Sequence, residues 1–120
     1  MTQEEKQLLL IDLCARLPYG VMCKLSAKDV DVQITEKLEL GGLEHFISGT
    51  MNVKPYLRPM SSMTDEERKE EPAGTSLDGF MYPDEADKYI NWLNEHHFDY
   101  CGLIEKGLAI EAPEGMYKTE

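Results

Sequence analysis

The sequence has no long apolar run. Its longest, Leu8 to Ile11, is four residues, whereas a membrane-spanning helix needs roughly 18. The first residues, Met1-Thr2-Gln3-Glu4-Glu5, also lack the basic flank and apolar core of a secretion signal. We therefore expect a protein of the cytoplasm that does not enter a membrane.

Cysteine is scarce. Cys14, Cys23 and Cys101 are odd in number, widely spaced and outside any CxxC pattern, which argues against a disulfide framework and against a zinc ribbon. We expect three reduced and mostly buried thiols.

Basic residues are scarce in the second half of the chain. Residues 61–120 carry 15 acidic and 5 basic residues, whereas residues 1–60 carry 8 and 7, and the net charge is −11. Nucleic-acid binding needs clustered Lys and Arg, so the composition predicts no direct binding of DNA or RNA. Such binding would require the basic residues of the first half to gather on one face: Lys24, Lys28, Lys37, Lys54 and Arg58.

The ordinary balance of apolar and charged residues predicts one α+β domain over residues 1–112 and a loose tail over 113–120. Thr2 and Glu5 form a capping box for a helix over about residues 3–17, which ends before Pro18 and Gly20. Leu8, Leu9 and Ile11 widen the apolar surface of this helix. This indicates a second contact besides the core, for which a partner is one candidate.

Three short antiparallel strands are predicted after this helix. Residues 21–25 and 30–35 read as a hairpin, and residues 44–48, including His45, read as a third strand after a Gly41-Gly42 turn. Pro55 and Pro59 predict either an extended edge segment over 53–59 or one 3₁₀ turn, and this segment is expected to end the sheet. This pattern is compatible with a small SH3-like barrel flanked by helices.

The second half of the chain predicts helices. Thr64 and Glu67 form another capping box, but residues 65–71 have no apolar face, so a frayed turn or a mobile loop is expected. Pro83 begins a helix with Ala86, Ile90, Leu93 and His97 on one face. Asp99 caps a shorter helical piece that ends at Gly107, and residues 108–110 add a closing strand.

Three residues are candidates for partner binding. Tyr56 and Leu57, framed by the two prolines, present an aromatic surface to a partner or close the barrel. Trp92 is expected to be largely buried, and the competing interpretation makes it a surface anchor.

The segment from Glu95 to Cys101 holds the weak candidates for a metal site. His97 and Cys101 could share a metal if the helix continued, but adjacent His96 and His97 point about 100° apart and cannot easily do so. A structural role for His97 is favoured, and we expect no metal, no cofactor and no catalytic residue, because the chain has no P-loop, nucleophile elbow or H-E-x-x-H motif.

Three segments resemble a known family: Arg16-Leu17-Pro18-Tyr19-Gly20, the run from Lys54 to Thr64, and the stretch from Trp92 to Leu108. In them the chain is similar to small proteins encoded in phages and mobile elements of gut bacteria. The resemblance implies an accessory protein that works in the host cytoplasm, and it carries over no activity or catalytic residues. Relatives have Arg where this chain has Cys101.

The first hypothesis for function is a non-enzymatic module that binds another protein. The second is an acidic decoy whose residues 61–120 occupy a nucleic-acid-binding surface of a host protein. The third is a minor metal-dependent enzyme that uses His96, His97 and Cys101.

Overall fold

The computed structural model describes residues 2–27, 33–70 and 83–117. Its helices are α1 (Gln3–Arg16), α2 (Leu40–Ser48), α3 (Asp65–Glu70) and α4 (Pro83–Glu95), with 3₁₀ turns at Leu17–Tyr19 and Met60–Ser62. Its strands are β1 (Met22–Ala27), β2 (Gln33–Lys37), β3 (Met51–Pro59), β4 (Phe98–Asp99) and β5 (Ile110–Glu111). The α+β class is therefore confirmed.

Helix α1 begins as predicted. The Glu5 amide donates to Thr2 Oγ1 at 3.1 Å, and the Thr2 amide donates to Glu5 Oε1 at 2.9 Å, so both halves of the capping box are present. The helix buries Leu9 and Leu13. No helix in the described ranges is long and apolar enough to cross a bilayer.

The sheet is mixed rather than antiparallel. Its order is β2-β1-β3-β4, and β5 also pairs with β3. Strand β1 runs antiparallel to β2 and β3, whereas β4 and β5 run parallel to β3. The predicted barrel is wrong, because among the described strands β2 pairs with β1 alone and leaves the sheet open at that edge.

Residues 44–48 form a helix, so the predicted third strand and the Gly41-Gly42 turn are wrong. Leu43 and Phe46 lie three residues apart, and both are buried, which is a helical spacing. Gly49 ends α2 in the left-handed conformation, with φ 79°. His45 therefore lies on this helix, where its Nδ1 is 2.8 Å from Thr50 Oγ1.

Strand β3 lies inside the sheet, so its prediction as an edge segment is also wrong. The Tyr117 hydroxyl accepts from the Met22 amide at 2.8 Å and donates to the Tyr56 carbonyl at 2.7 Å. The N–H and C=O groups of Tyr56 thus point towards β1. Because these groups alternate in direction along a strand, the backbone nitrogen of Pro55 points away from β1. The missing N–H of Pro55 removes no bond to β1, and Pro59 is the last residue of the strand.

The chain after α4 forms turns rather than a second helix. Helix α4 ends at Glu95, and His97 follows in the left-handed region with φ 63°, so His97 does not share the helix face with Leu93. The carboxylate of Asp99 accepts from the amides of Leu103 and Ile104 at 2.9 and 3.0 Å. It therefore caps the turns before Gly107. The closing strand predicted over residues 108–110 forms slightly later in the chain, as β5, and shares only Ile110 with the prediction.

Two apolar clusters hold the domain together. The larger one lies between one face of the sheet, α1, α2 and the turns before β5. The smaller one gathers Met63, Leu93 and Phe98, with Tyr89, Trp92 and Tyr100 at its margin. Tyr117, in the segment predicted to be a loose tail, is attached to β1 and β3 by its hydrogen bonds with Met22 and Tyr56.

Candidate binding surface

One face of the sheet packs into the core, and the opposite face, here called the outer face, is open. Side chains alternate across a strand, and Cys23, Leu25, Val53 and Leu57 are the buried set. The outer face consists of the alternate residues Met22, Lys24, Ser26, Gln33, Thr35, Lys37, Asn52, Lys54 and Tyr56. None of these nine residues is buried.

Three lysines and no carboxylate lie among the nine outer-face residues. Lys24 of β1 is the direct register partner of both Thr35 and Lys54, which places the Cβ atoms of the two lysines about 5 Å apart. Lys37 is opposite Met22, two residues along β1 from Lys24. Like charges directly opposite one another destabilise a sheet, so this arrangement has a cost in the free protein.

A cleft of about 760 Å³ adjoins two of these lysines, Lys24 and Lys54. Its lining includes Lys24, Lys54, Lys106, Glu5, Ser26, Gln33 and Asn52. Lys106 enters from the turns that Asp99 caps. The pKa of Glu5 is lowered, first by its hydrogen bonds with Thr2 and to a smaller degree by Lys106. Among the described residues that line the cleft, one acid therefore accompanies three lysines.

The candidates for partner binding are spread over different environments. Tyr56 lies half-buried on the outer face, with its hydroxyl 3.4 Å from Thr35 Oγ1. Leu57 is completely buried and is not available to a partner. Trp92 has intermediate exposure and packs against the smaller apolar cluster, and its ring centroid lies 4.3 Å from His96 and 5.8 Å from Phe98.

His96, His97 and Cys101 are not assembled as a metal site. His96 Nδ1 is 2.9 Å from the Trp92 carbonyl oxygen, whereas the His97 ring is stacked on Tyr117 at 3.8 Å. Burial, with Arg16 nearby, lowers the pKa of His97 to about 4. Within the described ranges no three His, Cys, Asp or Glu side chains are grouped to hold a metal ion.

The cysteines differ in exposure. Cys23 is buried and Cys101 is half-buried, but Cys14 is exposed, which corrects the expectation for that residue, and all three are free thiols. Burial raises the pKa of Cys23 to about 12, and it also raises the pKa of Cys101. A raised thiol pKa is the opposite of what a nucleophile needs.

A buried ion pair was missed from the sequence. Arg16 is fully buried, and it donates to Asp12 Oδ2 at 2.8 Å and to the Phe98 carbonyl at 2.6 Å. It thereby joins α1 to β4. The pKa of Asp12 is raised, because burial outweighs the nearby charge of Arg16. The signal was the i, i+4 placement of an acid and a base on the face of α1 that carries Leu9 and Leu13.

A second ion pair fixes α3, which the sequence left without a docking face. Glu67 accepts from Arg58 at 2.6 and 2.7 Å, and the predicted capping box with Thr64 is formed. These bonds, led by the one from Arg58, lower the pKa of Glu67 to about 2. Arg58 also lies over the Phe98 ring, 4.3 Å from its centroid.

Of the five basic residues whose gathering would favour anion binding, Lys24, Lys37 and Lys54 share the outer face. Arg58 is paired with Glu67, and Lys28 lies outside the described residues. Sequence reasoning named these residues, but the register that brings them together was not visible in the chain order.

The chain matches no protein-family model, no curated protein and no solved structure. The fold and the surface define an α+β domain with an open mixed sheet that carries a basic outer face.

Proposed function

We propose that the chain is a non-enzymatic module that binds another protein through the outer face of its sheet. The observation that carries this proposal is the direct cross-strand pairing of Lys24 with Lys54 on a face whose nine described residues include no carboxylate and no buried side chain. Such a face presents functional groups from three strands on a rigid support, as binding surfaces do.

The cost of the lysine pair supports a role in binding. Opposed like charges lower stability by a few tenths of a kcal/mol to about 1 kcal/mol, and a chain with net charge −11 could relieve the repulsion with one of its many acids. A partner that brings negative charge would relieve it on binding. It would also be steered to this patch by the local field.

A binding role fits the described side chains better than catalysis does. The two thiols at least partly inside the domain, Cys23 and Cys101, have raised pKa values, and His97 is enclosed by its stack on Tyr117. We further propose, from the resemblance to phage and mobile-element proteins, that the partner is a protein of a bacterial cytoplasm.

The second candidate function is the acidic decoy. The net charge of −10 over residues 61–120 favours it, since an acidic surface competes for sites that bind phosphates. A decoy would use the acidic surface of residues 61–120 rather than the outer face. Reversing the charge of lysines on the outer face would therefore leave a decoy active.

Site-specific photo-crosslinking in host cells tests the first candidate. A benzophenone amino acid replaces Thr35, which lies on the edge strand β2 directly opposite Lys24, or, as a control, Glu66 on α3. We expect position 35 to form an adduct with a single partner protein, in a one-to-one ratio. This adduct should be lost in the double variant Lys24→Glu/Lys54→Glu. The adduct should persist in Lys69→Glu/Lys88→Glu, which changes the net charge equally. An adduct that forms only from position 66, or no adduct from either position, would refute the proposal.

A further inference from the structure

We infer that the partner contacts the outer face with an extended acidic segment whose carboxylates pair with Lys24, Lys54 and Lys106. This inference rests on the proposed function, and it adds the chemical class of the partner. Its basis is the charge of the face and the cleft beside it, whose described lining contains three lysines and one carboxylate, that of Glu5.

The polar neighbours of the lysines fit a polypeptide. Ser26, Gln33 and Asn52 line the same cleft, and register places Ser26 opposite both Gln33 and Asn52. Hydroxyl and amide groups beside ammonium groups offer donors to carboxylates and partners to a peptide backbone. The volume of the cleft, about 760 Å³, is in the range of ligand-sized cavities.

The spacing of the lysines fits alternate residues of an extended chain. Same-face residues of a strand are about 6.8 Å apart. Lys24 and Lys54 are direct register partners with Cβ atoms about 5 Å apart, and their flexible side chains can spread the two ammonium groups to that spacing. A segment with an acid at every second residue can therefore place successive carboxylates near successive lysines.

A nucleic acid fits the same face less well. Among the nine outer-face residues Tyr56 is the sole aromatic, whereas single-stranded nucleic acids are held by stacking of successive bases on aromatic rings.

Fluorescence anisotropy with the purified full chain tests the inference. The probes are a labelled peptide of four Glu-Thr repeats, the matching Gln-Thr peptide and an oligothymidylate of eight nucleotides. We expect the acidic peptide to bind at least tenfold more tightly than the Gln peptide at about 50 mM salt, and to weaken several-fold at about 500 mM. Lys24→Glu/Lys54→Glu should abolish binding, whereas Lys69→Glu/Lys88→Glu should change it less than about twofold.

Tighter binding of the oligothymidylate would overturn the inference in favour of a nucleic acid. Equal binding of both peptides, or binding that survives the reversal of Lys24 and Lys54, would overturn it as well. Sedimentation of the free chain must show a monomer, since self-association lost in the same variant would assign the face to a second copy. If the position-35 adduct forms in cells but the acidic peptide neither binds nor competes with it, the proposed function stands and the acidic class is wrong.

Discussion

Replacing Lys54 by Glu should stabilise the free protein while it removes binding. The substitution turns the like-charged Lys24–Lys54 pair into an opposite-charged pair at the same positions. Two exposed charges about 6 Å apart interact by about 0.7 kcal/mol in water, so the change from repulsion to attraction is about 1 kcal/mol after screening. For a domain of this size that corresponds to a rise in Tm of about 4 °C.

Thermal and urea unfolding at low salt measure this difference, and Lys69→Glu is the matched control, because it adds the same charge without an opposed lysine. The gain of Lys54→Glu over the control should largely vanish at about 1 M NaCl, where screening acts within about 3 Å. A Lys54→Glu protein that is no more stable than Lys69→Glu at low salt would show that the lysines do not face one another.

Three further predictions concern groups outside the outer face. Glu67→Gln should lower the free energy of unfolding by about 1–2 kcal/mol at neutral pH. This loss should shrink as the pH falls from 4.5, the pKa of Glu67 in the unfolded chain, to about 2, its pKa in the folded protein. Unfolding of both proteins across this pH range measures the difference. Burial of His97 favours its neutral form, so the free energy of unfolding of the wild type should fall by up to about 3 kcal/mol as the pH falls from 6.5 to about 4. In His97→Gln that part of the pH dependence of stability should be absent. A stability profile against pH that is the same in both proteins would contradict the assignment. Tyr117→Phe removes the hydroxyl that bridges Met22 and Tyr56 and should cost about 1–2 kcal/mol, with faster hydrogen exchange at the Met22 amide; exchange at the wild-type rate would refute the bridge.

The elements predicted correctly from the sequence are those with local signals. Helix α1 was visible because Thr2 and Glu5 satisfy each other's backbone groups within one turn, and α4 because Pro83 suits a first helical turn. The β1–β2 hairpin followed from alternation over a few residues.

The elements predicted wrongly depend on tertiary contacts. Helix α2 has nine residues, and its apolar run is too short for periodicity to separate a helix from a strand. Strand β3 was expected at an edge because of Pro55, but the direction in which its missing N–H points depends on register, which chain order does not contain.

The same limit applies to the candidate surface. Lys24, Lys37 and Lys54 were identified as the residues that would have to gather, but their common face follows from two registers that are fixed by the buried residues on the opposite side. The buried pair of Asp12 and Arg16 was overlooked, because acids and bases at helical spacing usually lie in solvent.

The most direct test of the central claim is a map of where an acidic segment binds. In ¹H–¹⁵N spectra of the full chain titrated with the Glu-Thr peptide, the largest shifts should fall on the amides of Lys24, Thr35 and Lys54 and extend to Lys106, and the Gln-Thr peptide should cause none. Shifts centred instead on α3, on α4 or around the exposed Ile11 of α1, with the outer face unchanged, would contradict the account.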